Sequence, residues 1–304
     1  MGGLSAVFWG IDNSLTGFYN EGKTRKRGNS MSRIATFYDH ITDIAREENI
    51  SMIEAMQAAK ELGVCALEIS QNNLVGKEDE VGRQLSQAGL GVSCVPAYFD
   101  FGKNLDVPAQ SEAVLKAAQS IGATKMLVIP GFVEADASPE ERELATVNMI
   151  DCIDRLSELA DKAGIMLTME DFDNERAVFA RIAEVKRFID TCPGLYCCFD
   201  TGNFRHRAED ELEAYEALKH KIGHVHLKDR AYTPDYGAHG PVSADGKTLY
   251  PCPVGFGELA IDKLISRLEQ DGYTGLYTVE HYGASPMLEV LRQSVEFVAG
   301  RIRS

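Results

Sequence analysis

Residues 222–229, read Ile-Gly-His-Val-His-Leu-Lys-Asp, constrain what this chain can fold into more than any other stretch. Side chains alternate along a strand, so His224, His226 and Lys228 share one face while Val225 and Leu227 share the other. The apolar face reads as one packed under a helix. The opposite face carries two imidazoles and an amine, with the carboxylate of Asp229 just beyond, and an ordinary core strand does not look like that. Three further strand-like runs, 165–170, 195–200 and 276–280, end in an acid. Strands ending in Glu170, Asp200, His226 and Glu280 suggest one metal site at one end of a parallel barrel.

The rest of the chain supports that architecture. From Ile34, strand-like runs are expected at 34–38, 64–69, 91–96, 125–130, 165–170, 195–200, 222–227 and 275–280. Helical runs are expected at about 51–62, 78–89, 108–121, 138–163, 178–190, 209–219, 258–270 and 285–302. Ser51 and Ser138 sit at N-cap positions, the latter followed by Pro139 and Glu141. Gly63, Gly122, Gly164 and Gly272 fall where helices stop. Eight strands alternating with eight helices make an α/β protein, a (β/α)8 TIM barrel in a single domain at 34–304. An open doubly wound sheet uses the same alternation. However, no Gly-x-Gly-x-x-Gly follows the first strand, and acids at four strand ends converge more easily in a closed barrel. Residues 1–33 form an N-terminal extension with the only tryptophan, Trp9, and a basic knot at Lys23, Arg25, Lys26 and Arg27. It reads as an arm or a barrel cap, with a partner-binding arm as the alternative.

Composition excludes several functions. A net charge of −15 does not suit a protein that wraps nucleic acid, because phosphate contacts need a basic surface. No stretch approaches the ~18 apolar residues of a membrane span, so no membrane partner is expected. The seven cysteines are odd in number, scattered and free of any C-x-x-C pair, which suggests reduced thiols in a cytoplasmic protein.

In a barrel, the last inward residue of each strand reaches the catalytic face. Inward series end in Glu170 after Met166 and Thr168, in Asp200 after Tyr196 and Cys198, and in Glu280 after Leu276 and Thr278. Three converging carboxylates repel one another, and a divalent cation resolves the repulsion. Any one of these acids alone reads equally well as a salt-bridged or solvent-facing strand end. Oxygen ligands with one imidazole favour Mn²⁺, with Mg²⁺, Co²⁺ or Zn²⁺ as alternatives. His224, one layer below His226, reads as a hydrogen-bonded core histidine rather than a ligand. Lys228 either pairs with Asp229 at the rim or contacts a substrate oxygen or phosphate. Glu68 ends its strand inward and is expected to bind substrate hydroxyls or support Lys228, and Asn203 and Arg205 are expected to line the pocket. Asp171, Asp173 and Glu175 read as solvated loop charges. The long loop 231–256, rich in Gly and Pro and containing His239, reads as a lid over the site or a contact with a second subunit in a homo-oligomer.

Over residues 34–304 the chain resembles the xylose isomerase-like TIM-barrel superfamily, in its sugar phosphate isomerase/epimerase branch related to endonuclease IV. The resemblance rests on Leu-Glu-Ile (67–69), Met-Glu-Asp (169–171), Phe-Asp-Thr-Gly-Asn (199–203), His-Val-His-Leu-Lys-Asp (224–229), Pro-Val-Gly-Phe-Gly (253–257) and Val-Glu-His (279–281). It implies Glu170, Asp200, His226 and Glu280 as metal ligands, with Glu170 and Glu280 also moving protons on opposite faces of a sugar. Ketose 3-epimerases often place a histidine where Asn203 stands and an arginine where this chain has Tyr232. The His-Leu-Lys-Asp run is more like that of inosose dehydratases and related isomerases. Endonuclease IV enzymes use extra histidines on early strands, whereas only His40 precedes Glu170 here.

These readings converge on a metal-dependent isomerase or epimerase of a sugar, sugar phosphate or cyclic polyol ketone, working by proton transfer through an enediolate. Loss of a β-hydroxyl after the same proton abstraction makes the alternative, a dehydratase. A third reading is a non-catalytic metal- and sugar-binding subunit of a complex.

Overall fold

Eight parallel strands close on themselves in a computed structural model that describes residues 32–302. They are β1 (Ile34–Phe37), β2 (Val64–Glu68), β3 (Gly91–Tyr98), β4 (Lys125–Ile129), β5 (Met166–Met169), β6 (Leu195–Asp200), β7 (Ile222–Leu227) and β10 (Tyr277–Val279). Each pairs with its chain neighbour, and β10 closes the ring between β7 and β1. Two short strands, β8 (Arg230–Ala231) and β9 (Tyr250–Pro251), pair antiparallel at the two ends of the long loop. The barrel strands read as apolar runs because the helix layer covers one face and the barrel interior the other. Val95, Leu167, Phe199 and Val225 are fully buried, as are Ile153, Phe188, Leu264 and Leu291 on the surrounding helices.

Local signals place the helices. Ser51 and Ser138 each accept the backbone N–H of the third helical residue, and Glu54 and Glu141 return the bond to the cap. Each such cap is worth ~1 kcal/mol. Gly63, Gly122, Gly164 and Gly272 all take positive φ, between 70° and 118°, where a side chain would be strained. The eight-helix expectation is corrected, because a helix at Tyr38–Glu48 runs straight out of β1 before Met52–Leu62 begins. Its cap residue Phe37 makes no side-chain bond, and its buried stripe is only His40, Ile41 and Ile44. The serine cap and the stopping glycine that mark the helices at 52–62 and 139–162 are therefore missing. A single turn at Gln71–Leu74 likewise follows β2.

The expected extension falls largely outside the described residues, since Trp9 and the basic knot lie within 1–31. Arg33, assigned to it from sequence, belongs to the barrel. Its guanidinium donates to Gly275 O at 3.2 Å, Glu269 Oε1 at 2.9 Å and Tyr273 O at 2.5 Å. All seven cysteines are free thiols. No helix among the described residues is long and apolar enough to cross a membrane.

Candidate metal centre and active site

Register brings the acids together. Asp200 and Thr278 both lie level with His226 in the sheet, and the Glu280 N–H donates to Leu227 O at 3.0 Å, extending the ladder one residue past β10. Glu170 follows β5 in the same way. One ligand atom from each of Glu170, Asp200, His226 and Glu280 lies within 4.8 Å of the other three. A divalent ion with bonds of about 2.0–2.3 Å spans donor pairs of about 3–4.6 Å, so the set is the right size.

Asp200 and Glu280 are each held by one oxygen and present the other to the centre. Asp200 Oδ1 accepts the N–H groups of Gly202 and Asn203 at 2.7 and 2.8 Å, and Oδ2 makes no hydrogen bond but lies 3.3 Å from Lys228 Nζ. Glu280 Oε1 is taken by Lys228 Nζ at 2.5 Å, leaving Oε2 at 3.3 Å from His226 Nδ1. Glu170 Oε2 approaches His226 Nδ1 to 2.9 Å, yet neither atom makes a hydrogen bond. Buried polar atoms without partners are rare and costly, and three of them aimed at one point are what a cation would satisfy. The residues therefore fit a divalent metal ion. Beneath them, Glu68 accepts from His226 Nε2 at 3.0 Å and from His224 Nε2 at 3.0 Å. Burial works against charge on His226, but Cys198, Glu68 and Glu170 around it hold its pKa well above the ordinary value. With Nε2 donating to Glu68, displacement of the Nδ1 proton by an incoming ion would present the lone pair at Nδ1. Gly202 is required because a Cβ there would sit 2.8 Å from Lys228 Cγ and 2.9 Å from Lys228 O.

Burial and neighbouring charge set the protonation of this cluster. Burial pushes Glu170 up to about 7 against the pull of His226. Burial also acts to raise Glu280 and Glu68. Lys228 with His226 holds Glu280 well below the usual carboxylate range, while His226 with His224 brings Glu68 down to about 2. His224 is lowered to about 4 by burial, as befits a core imidazole. Burial works against charge on Lys228, but Asp200 and Glu280 hold its proton firmly.

The cavity above the cluster has a volume of about 590 Å³. Of the residues expected there, Glu170, Asn203, His226, Lys228 and Glu280 line it, whereas Asp200 is wholly buried and does not. Glu68 does not line it, being wholly buried under the two imidazoles. Arg205 does not line it either, since its guanidinium faces the Tyr232 hydroxyl at 3.2 Å beyond the wall. Lys228 and Asp229 are not an ion pair. Asp229 instead accepts the backbone N–H groups of Arg230, Gly255, Gly257 and Leu259, pinning the far end of the long loop. That loop builds the rim through Pro241 and Pro251, and His239 is exposed. Asp171 is not a solvated charge: it is 1% exposed, neither of its oxygens is hydrogen-bonded, and burial raises its pKa strongly. Asp173 pairs with Arg230 at 2.7 Å, and Glu175 is exposed. Sequence reasoning missed Asp39, Asn73, Tyr98 and Tyr282, which line the cavity. Tyr282 lies two residues beyond the recognised inward position Glu280, and that spacing was the available signal; Tyr98 ends β3, beyond the run expected at 91–96.

A family model for the xylose isomerase-like TIM barrel matches residues 56–300. Among solved structures, the chain is similar to a 3-keto-D-glucoside 4-epimerase from E. coli, with 19% identity, TM-score 0.67, and coverage of 88% of this chain and 99% of that one. A probable 3-DHS dehydratase from Bacillus anthracis aligns with 16% identity, TM-score 0.67, and the same coverage of 88% and 99%. A xylose isomerase-like TIM barrel protein from Mycobacterium smegmatis, solved in complex with magnesium, aligns with 21% identity, TM-score 0.60, and coverage of 82% and 87%. A search of curated proteins by sequence found no match. From the closed eight-stranded barrel and a family match over most of its length, the chain belongs to the xylose isomerase-like TIM barrel family.

Proposed function

We propose that this chain is a divalent-metal-dependent isomerase or epimerase acting on a sugar or cyclic polyol ketone. The observation that carries the reading is the arrangement of Glu170, Asp200, His226 and Glu280. Their donor atoms converge beside a cavity, with Asp200 and Glu280 each tethered by one oxygen and turning the other toward the centre. Three carboxylates and one imidazole suit Mn²⁺ first, and Mg²⁺, Co²⁺ or Zn²⁺ after it. When bound, such an ion supplies a Lewis acid that acidifies the C–H beside a substrate carbonyl. Glu170 and Glu280 both reach the His226 ring nitrogen, at 2.9 and 3.3 Å. One removes the proton from that carbon and the other returns a proton, at the neighbouring carbon or the opposite face. Lys228 orients Glu280, and Asn203 fixes Lys228 through its side-chain oxygen at 2.7 Å.

The test is solvent exchange. In D₂O, Mg²⁺-loaded protein should move deuterium into a ketose at the carbon beside the carbonyl and form an isomeric sugar. Glu170→Gln and Glu280→Gln should each reduce that rate by at least about a hundredfold, the usual scale of acid–base catalysis. An unsaturated product would make the chain a lyase, and full exchange in either variant would refute the assignment of the two glutamates.

A further inference from the structure

Resting on that reading, we infer that the substrate is an uncharged polyhydroxy ketone longer than one sugar ring, with its second ring held by Asp39, Asn73, Tyr98 and Tyr282. Away from the metal centre, charge disfavours anions. The cavity wall carries the carboxylates of Asp39, Glu170, Asp173, Asp229 and Glu280 against two cations among the described residues, Lys228 and Arg230. Both cations already face acids. Lys228 Nζ lies between Glu280, Asp200 and Asn203, and Arg230 Nη2 is held by Asp173 at 2.7 Å, while its Nε is buried without a hydrogen-bond partner and out of a ligand's reach. A phosphate or carboxylate on the substrate would lose its water shell and find acids instead of a free guanidinium or amine.

Size leaves room for more than a single ring. A hexose has twelve non-hydrogen atoms, and each takes less room than the ~30 Å³ share of a liquid water molecule, so the sugar needs under about 360 Å³. The cavity offers about 590 Å³. Part of its lining is a wall suited to hydroxyls. Asp39 Oδ1 accepts from Asn73 Nδ2 at 2.7 Å, and Oδ2 accepts from the Tyr282 hydroxyl at 3.2 Å. Both partners leave the carboxylate further lone pairs. Tyr98 and Tyr282 are 44% and 48% exposed and line the cavity. This wall stands one ring beyond the metal centre, because Phe37 packs between His226 (centroids 5.2 Å apart) and Tyr282 (5.3 Å). A carboxylate beside open aromatic faces takes the hydroxyls of a sugar on the acid and its C–H face on the rings.

The experiment uses one ketose in three forms, D-fructose, D-fructose 6-phosphate and 6-O-glucosyl-D-fructose, with Mg²⁺-loaded full-length protein. Calorimetry gives affinity, and deuterium uptake in D₂O gives turnover. The glucosyl ketose should bind at least about tenfold tighter than fructose, and fructose 6-phosphate more weakly than fructose. Asp39→Asn should remove about tenfold from the glucosyl ketose and less from fructose. Tightest binding of the phosphate, or no advantage for the glucosyl ketose, overturns the inference, and the wild-type series decides this even if Asp39→Asn fails to fold. Deuterium uptake separates the two readings. Uptake with the wrong affinity order sinks the substrate class alone, whereas the right order with no uptake in any ketose sinks the isomerase.

Discussion

Replacing Glu68 with Gln separates a carboxylate that serves the metal from one that binds substrate. In the parent, both imidazoles point Nε2 at this one carboxylate, His224 at 3.0 Å and His226 at 3.0 and 3.1 Å. The carboxylate stays ionised because the two rings outweigh its burial. Both rings can therefore donate, and His226 keeps its Nδ1 toward Glu170, Asp200 and Glu280. Glutamine has one acceptor oxygen and one NH₂. One ring must then face the amide donors and move its proton to Nδ1, and if that ring is His226 a ligand is lost. The loss of one charge-assisted hydrogen bond is worth about 1.5–3 kcal/mol. Removal of a carboxylate behind a ligating histidine costs about 10–100-fold in metal affinity, or about 1.4–2.8 kcal/mol, and the two estimates agree. Titration of Mn²⁺ into folded Glu68→Gln by calorimetry should show that weakening. At saturating metal, KM for the ketose should stay near the parent value, because Glu68 does not line the cavity. Unchanged metal affinity with a raised KM would refute the placement and restore Glu68 as a substrate ligand.

Other perturbations probe the frame around the site. Gly202→Ala would press a methyl group against the Lys228 side chain and carbonyl, and should weaken Mg²⁺ binding at least about tenfold in calorimetry, at an overpacking cost of about 1–3 kcal/mol. Asp229→Asn sets an NH₂ group against backbone donors now bound by the carboxylate, and urea unfolding should register a loss of about 3 kcal/mol. His40 accepts the His281 N–H at 2.9 Å, and burial lowers its pKa to about 4. The unfolded chain takes up that proton first, near pH 6.5, so stability is full above that pH and falls as pH drops toward 4. The loss is about 2 kcal/mol at pH 5, and His40→Gln should remove that part of the pH slope in urea melts.

The parity of inward residues along β5, β6, β7 and β10 was legible because it is local: each strand alone says that Glu170, Asp200, His226 and Glu280 share the inner face. The helix caps and stops were legible for the same reason. Depth was not legible. Glu68 and Glu280 both look like the inward end of a strand, but Glu68 lies level with Cys94 and under the histidines, while Glu280 reaches the cavity. The difference comes from register between strands, which no single strand encodes. Loop charges were misread likewise. Asp171 and Asp173 are close neighbours in polar sequence, yet one is sealed against Asp200 and the other meets Arg230 from the far side of the long loop. The Tyr38–Glu48 helix escaped because its buried stripe contains a histidine and its cap an aromatic ring.

The most direct test of the account is a crystal structure of the protein soaked in Mn²⁺, read by anomalous scattering. The account predicts one strong peak at about 2.0–2.3 Å from Glu170, Asp200, His226 Nδ1 and Glu280, with Glu68 still bonded to His226 Nε2. A peak among Cys198, His224 and His226 or among Glu68, Cys94 and His224, the two other donor groups among the described residues, would contradict it. So would no peak at all at saturating Mn²⁺.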